Sequence, residues 1–333
     1  MTKLRMAVVG LGRFAELHLK ALKTLPQVEV VAVVSRSTER AQEMASRYRV
    51  PHAFSDCAVM LQRSAPDAVD VVTEENRHYE PVMAALSAGK HVFVEKPLAA
   101  DLSQARAMIE LAETSGLTLM VGHLLRFEPR HFAIKQAVQQ GRLGRIAYVY
   151  ARRNLRRSAQ TLYRHAPRLL TTGVHDADLI LWYTGQRPRR VTGVCREVSG
   201  QGPDVFWGLI ELDGGAFGVI ESSWLLPERS PYAGDIELEV VGDAGTAILR
   251  APDDSLSILG SDGFEQPNMY LWPETNGQLG GALRDELACF AQCILNTEHP
   301  PLDPWDAYRA LECVLAILES ANKGHSLSLA LSC

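Results

Sequence analysis

The chain has no Cys-x-x-Cys pair, and its six cysteines (Cys57, Cys195, Cys289, Cys293, Cys313, Cys333) lie scattered along 333 residues. A metal site needs tighter ligand spacing, and a disulfide framework belongs to smaller secreted domains, so neither is expected. Cys289 and Cys293 stand one helical turn apart among apolar neighbours and read as core filler. There is no excess of positive charge: the net charge is −5, which gives no reason to expect a nucleic-acid partner. No apolar run is long enough to span a bilayer, and "MTKLRMAVVGLG" passes straight into a strand without a secretory apolar region. A cytoplasmic protein without a membrane partner is expected. Repeats and low-complexity linkers are also absent, and 22% charged residues is an ordinary globular share, against long disorder.

What is present is apolar sequence, 47% of a chain too long for one ordinary core, so two domains are expected. Up to residue 123 short β-branched runs ("LRMAVVG", "VEVVAVVS", "DAVDVVT", "HVFVE", "LTLMVG") alternate with amphipathic stretches at 13–25, 37–48, 76–89 and 101–116. The runs read as buried strands and the stretches as helices, the last one capped by Asp101. Strand–helix alternation predicts an α/β fold with a doubly wound parallel Rossmann sheet over 1–123. From 124 the rhythm changes. Helices are expected at 128–140, 169–182, 279–296 and 304–322. Strands are expected at 145–157, 189–198, 204–213, 216–224, 235–241 and 245–250. Turns such as "DGG" and "GDAGT" favour antiparallel pairing, so 124–333 reads as an α+β domain with an open, mostly antiparallel sheet. Its C-terminal helix is expected to pack back on the first domain.

"MAVVGLGRFAELHLKAL" carries Gly10, Gly12 and Ala15 in G-x-G-x-x-A spacing between a strand and a helix. Gly10 permits the tight turn, Gly12 lets the backbone approach a pyrophosphate, and Ala15 lets helix and strand pack closely. The helix N-terminus then offers unpaired N–H groups to phosphate. The plainer reading is an ordinary strand–turn–helix. Where an NAD site usually places an acid to bind the ribose, the second strand ends in Ser35, Arg36 and Ser37, with Arg40 a turn later. Hydroxyl and guanidinium suit a 2′-phosphate, which favours NADP over NAD. Against this, Arg36 could stack on the adenine or face water.

Two further stretches carry chemistry. "GKHVFVEKPLA" ends a strand in Glu95, Lys96 and Pro97, where a lysine can donate to a substrate oxygen and stabilise charge on it. "LLTTGVHDADLILW" has helical period, yet contains His175, Asp176 and Asp178, groups a helix does not bury cheaply. His175 is either a satisfied core histidine or a proton-transfer group.

In this order, "VVGLGRFA", "DAVDVV" followed by His78, "GKHVFVEKPLA", "VGHLLRFEP", "GVHDADLILW" and "DAYRALECVLAILESANKG" resemble the Gfo/Idh/MocA oxidoreductases over nearly the whole chain. The resemblance implies an NAD(P)-dependent dehydrogenase or reductase acting on a sugar, polyol or sugar acid, assembled as a homodimer or homotetramer through the open sheet. It implies that Lys96 contacts the reacting oxygen and that His175 exchanges the substrate proton. A cofactor site follows from Gly10, Gly12, Arg13, Phe14, Ala15, Ser35, Arg36, Arg40, Thr73, Glu74, Glu75, His78, Glu95, Lys96 and Pro97. A substrate site follows from Arg126, Arg152, Arg156, Tyr163, Thr171, Thr172 and His175.

The pattern breaks in two places. The aspartate that many members carry four residues before the histidine is Thr171 here. Asp178, at i+3 from His175, shares its helix face, whereas Asp176 should point elsewhere. The family's Pro-Asn after the third long strand is Glu74-Glu75 here. Either Glu75 replaces the missing charge, or both glutamates are solvated and balanced by Arg77 or Lys96. The basic run Arg152, Arg153, Arg156, Arg157, Arg164, Arg168 with His165 suits a substrate carboxylate or phosphate, or else a solvated or subunit-interface edge. Tyr163 and Trp224 fit sugar stacking or core packing equally. Two other functions fit the residues: a hydrolase or lyase that oxidises its sugar transiently with a tightly bound nicotinamide, and a cofactor-binding sensor without turnover.

Overall fold

The computed structural model describes residues 3–158, 167–200, 202–230, 234–251, 256–260 and 263–330. Tyr163, Arg164 and His165 lie outside the described residues. In chain order the first elements are β1 (Leu4–Val9), α1 (Arg13–Lys23), β2 (Val28–Val34), α2 (Thr38–Tyr48), β3 (His52–Phe54) and α3 (Cys57–Ser64). β4 (Ala68–Val71), α4 (Tyr79–Ser87), β5 (His91–Glu95), α5 (Leu102–Thr114) and β6 (Leu119–Gly122) follow. The six strands form one parallel sheet in the order β3-β2-β1-β4-β5-β6. This is the doubly wound order, with the crossover between β1 and β4 placing their C-terminal ends side by side. β1 and β4–β6 are almost wholly buried, as strands covered on both faces must be. Ser37, Asp56 and Asp101 cap α2, α3 and α5 by accepting the N–H groups of Arg40, Val59 and Gln104.

The remaining elements are α6 (Pro129–Gln139), β7 (Ile146–Arg156), α7 (Arg168–Thr184), β8 (Pro188–Arg196), β9 (Val205–Leu212), β10 (Phe217–Leu226), β11 (Gly234–Gly242) and β12 (Thr246–Ala251). Two small hairpins follow, β13 (Ile258–Gly260) with β14 (Gly263–Glu265) and β15 (Glu274–Thr275) with β16 (Gln278–Leu279). Then come α8 (Gly281–Asn296), α9 (Pro304–Lys323) and β17 (Leu327–Ser328). The second sheet runs β12-β11-β7-β10-β9-β8-β17. Only the β7–β10 pair among these is parallel, so the expected mostly antiparallel sheet is what forms.

The chain divides into two compact units: Met1–Phe127 with Met269–Tyr308, and Glu128–Asn268 with Arg309–Cys333. In the first, Leu283, Leu287 and Phe290 of α8 join the core under β1 and α1, and Phe290 meets Phe93 edge-on. Each such fully buried side chain contributes roughly 1.5–3 kcal/mol. In the second, α7 and α9 cover one face of the sheet. Gly218 and Ile220 of β10 lie under α7, at Ile180 and Gly173. Gly193 and Gly208 lie against Ile317, where a Cβ would approach to 2.1 and 2.7 Å. Two glycines on neighbouring strands therefore let α9 sit close on the sheet. No helix among the described residues is long and apolar enough to cross a membrane.

Candidate active site

The dinucleotide turn is built as its glycines require. Gly10 has φ +93°, and a Cβ there would come within 2.6 Å of the Val72 carbonyl oxygen. The turn therefore presses directly on the end of β4, and only glycine fits on both counts. At Gly12 the space where a Cβ would stand is open, and no side chain caps α1. A bare backbone in front of unpaired helix N–H groups fits a dinucleotide pyrophosphate. Ala15 is fully buried under the turn, while Arg13 is exposed and Phe14 packs edge-on against Trp272.

At the end of β2, Arg36 is exposed and Ser35 half-buried. Arg40 is engaged elsewhere: its guanidinium donates to Glu16 at 2.7 Å, to Glu43 at 2.9 Å and to the Leu11 carbonyl at 3.1 Å. After β4, Glu74 pairs with Arg77 at 3.2 Å on the surface, and Glu75 opens a short 3-10 turn. Thr73 donates its hydroxyl to the Arg77 carbonyl at 3.1 Å. His78, expected beside the cofactor, is only 1% exposed. Its Nδ1 lies 2.8 Å from the Pro97 carbonyl and its Nε2 3.1 Å from the Thr73 carbonyl. Burial pushes its pKa down, so the neutral ring donates one N–H, and the Pro97 carbonyl is the closer acceptor. His78 thus ties the turn after β4 to the turn after β5. That second turn contains Glu95, buried, then half-buried Lys96 and a cis peptide to Pro97.

In the second unit, α7 buries every residue from Leu169 to Leu181 except His175. The neighbours on this helix are spoken for. Asp176 receives Arg153 of β7 through Nη2 at 2.8 Å and Nε at 3.2 Å, a buried fork-to-carboxylate pair. Asp178, 1% exposed, lies with Glu128 near His131 and Tyr183. Burial, then the Glu128 and Asp178 carboxylates, hold the Tyr183 hydroxyl well above its usual range. Burial, then Arg153 and Arg130, drive His131 down to about 3, so a neutral His131 Nδ1 accepts the Tyr183 hydroxyl at 2.7 Å. Thr172 donates to the Arg168 carbonyl at 3.1 Å and lies 3.2 Å from the Ser222 hydroxyl; Thr171 is buried on the same turn.

Arg152 and Arg156 sit apart from that helix. Ser222 faces α7, and its register partner Arg153 shares that face. Arg152, one residue earlier, pairs with Glu221 in register and therefore lies on the opposite face of the sheet. There it donates to Asp235 at 3.0 Å and Glu237 at 2.7 Å, and Arg156 donates to the Ser230 carbonyl at 2.6 Å. Arg126 belongs to the first unit, where it is buried and donates to Asp306 at 3.0 Å. Trp224 is fully buried with the Arg168 guanidinium over its ring, so it packs the core.

Two groups missing from the sequence-based site stand out in the first unit. His18 of α1 and Asp70 of β4 are both fully buried and 2.9 Å apart. Asp70 interrupts the apolar run "AVDVV", which was the available signal.

Comparison with known proteins identifies the family. Residues 4–123 match the family described as oxidoreductase family, NAD-binding Rossmann fold, and residues 135–329 its C-terminal alpha/beta domain. The chain belongs to this Gfo/Idh/MocA family, and it is an NAD(P)-dependent oxidoreductase acting on a CH–OH carbon. It is 29% identical to scyllo-inositol 2-dehydrogenase (NAD(+)) of Bacillus subtilis (strain 168) over 98% of this chain and 96% of that protein. It is 26% identical to D-apiose dehydrogenase of Paraburkholderia graminis, over 97% of this chain and 89% of that protein. In fold it is similar to scyllo-inositol dehydrogenase of Lactobacillus casei, solved with NAD(H) and scyllo-inositol. That likeness has a TM-score of 0.85 at 21% identity, over 98% of this chain and 99% of that one.

Proposed function

We propose that this protein interconverts a secondary hydroxyl and a ketone on a cyclic polyol or sugar. The observation that carries the reading is His175, the single break in the buried run of α7. A histidine titrates near neutral pH and can take or return the hydroxyl proton. Lys96, at the end of β5, can donate a hydrogen bond to a substrate oxygen and stabilise charge developing on it. The nicotinamide, when bound, supplies the hydride acceptor or donor. Gly10, Gly12 and the N-terminus of α1 would hold its pyrophosphate, and Thr73, Glu74, Glu75 and the Glu95–Lys96–Pro97 turn would border its reactive end. The activities for which the inositol and apiose relatives are named support a polyhydroxy substrate. Arg152, Arg156 and Arg126 already have protein partners, which removes the main support for an acidic one.

The test is a panel of inositols, sugars and sugar acids assayed for reduced nicotinamide. Lys96→Met and His175→Asn should each lower kcat by about 10²–10³-fold, with cofactor affinity within a few-fold of wild type. Full activity in either variant would remove that residue from the reaction.

NADP remains the preferred cofactor in this reading, although the Bacillus relative is named for NAD(+). With Arg40 held by Glu16 and Glu43, the preference rests on Arg36 and on the lack of an acid at the end of β2. The assembly belongs to the same proposal. The sheet face away from α7 exposes Val194, Trp207, Leu209, Phe217 and Ile248, flanked by Tyr148 and Tyr150. An apolar patch across five strands fits a homodimer or homotetramer.

A further inference from the structure

We propose that His18 is a positioning residue of the reaction: its ring bridges Asp70 and Glu95 and so fixes the Glu95–Lys96–Pro97 turn relative to the dinucleotide-binding helix. The inference rests on the role given above to Lys96. His18 lies on the buried face of α1, two turns below the phosphate-binding glycines. Its Nδ1 is 2.9 Å from Asp70 Oδ2 of β4, and its Nε2 is 3.3 Å from Glu95 Oε1 of β5. The rings of Phe14 and Phe93 stand edge-on to it at 5.0 and 5.9 Å, so it cannot swing. The other carboxylate oxygen of Glu95 accepts the backbone N–H of Lys96 at 3.1 Å. On the far side is Gly122 of β6, in register with Glu95, where a Cβ would fall 2.7 Å from Glu95 Oε1. Glu95 is therefore held on three sides: by the His18 ring, by the Lys96 N–H and by the bare backbone of Gly122.

Stability alone does not account for this cluster. Two carboxylates and an imidazole sit among apolar residues, with His18 and Asp70 fully buried and Glu95 only 6% exposed. Desolvating such groups is costly, and apolar side chains of similar size would pack the same space more cheaply. What the cluster does that apolar side chains cannot is join three elements by one hydrogen bond and one ion pair. These are the helix that begins at the phosphate turn, the strand leading to Thr73, and the strand leading to Lys96. Burial by itself lowers the pKa of His18, but Asp70 and then Glu95 outweigh it and hold it at about 10. The ring therefore carries its charge at working pH: Nδ1 donates to Asp70, and Nε2 faces the Glu95 carboxylate as an ion pair.

His18→Phe keeps the volume and removes the bridge. It should lower kcat by about 10- to 100-fold, the scale of a misplaced catalytic group, with NADPH and NADH affinity within a few-fold of wild type. Gly122→Ala pushes on the Glu95 carboxylate without touching His18. It should reproduce the kcat loss, and it carries the kinetic test if His18→Phe does not fold. In the wild type, ¹⁵N NMR should show both His18 ring nitrogens protonated at pH 8. A neutral ring at that pH, or unchanged kcat and pH profile in a folded His18→Phe, overturns the proposal. Lys96→Met run in parallel separates the two claims. If it is inactive while His18→Phe is normal, the bridge is wrong and the role of Lys96 stands. If it is fully active, the role of Lys96 falls first.

Discussion

Asp176 and Arg153 show what a neighbour of His175 has to do. Arg153 grips a carboxylate that is all but buried one residue from His175, and so anchors this turn of α7 to β7. Removing the charge of one partner leaves the other buried without compensation. Asp176→Asn should therefore cost about 3–5 kcal/mol in stability, read from urea unfolding, before any effect on turnover is considered. His18 makes a pH prediction. Its pKa is raised when folded, so its contribution is complete below the unfolded imidazole value of roughly 6.5 and falls as pH rises through about 10. The difference in Tm between wild type and His18→Phe should shrink steadily over that window. A difference that grew with pH would mean the ring is neutral in the folded protein. Glu74 follows the plainer of the two readings of its position, paired with Arg77 at the surface.

At the scale of the element, periodicity located most of the helices and strands, and capping set several of their ends. Asp101 accepts the Gln104 N–H at 2.9 Å at the start of α5, as its place before the apolar period implied. Asp101→Ala should cost about 1 kcal/mol, seen as a lower urea midpoint with an unchanged slope. β3 and β17 escape such reading because three and two residues carry no usable period. β17 forms only because Leu327 meets Val191, more than a hundred positions earlier in the chain. The β7–β10 pair is parallel for a comparable reason. α7, β8 and β9 intervene, so the two strands are not joined by a hairpin and turn chemistry says nothing about their direction.

For the whole molecule, two expectations can be checked without knowing the substrate. If Arg36 reads a 2′-phosphate, Arg36→Ala should weaken NADPH binding by about tenfold or more and leave NADH nearly unchanged, in fluorescence titration. Equal losses for the two would assign Arg36 to the adenine. If the open sheet face is the subunit interface, Trp207→Glu should shift the mass measured by light scattering toward the monomer, since it places charge within the exposed apolar patch.

The sequence by itself determined the alternation of strand and helix, the glycine turn before α1, and the placing of Lys96 at a strand end. Each is local: hydrophobic period and glycine spacing act within a few residues of themselves. The tertiary structure alone decided where the charged side chains went. Arg152 faces away from α7 because β7 pairs Arg152, not Arg153, with Glu221. Arg40 is taken by Glu16 from the preceding helix. His18, legible only as a residue on an apolar helix face, becomes a bridge because β4 and β5 bring Asp70 and Glu95 to it from 52 and 77 positions away. Such partners are chosen by strand order and register, which no short stretch of sequence contains.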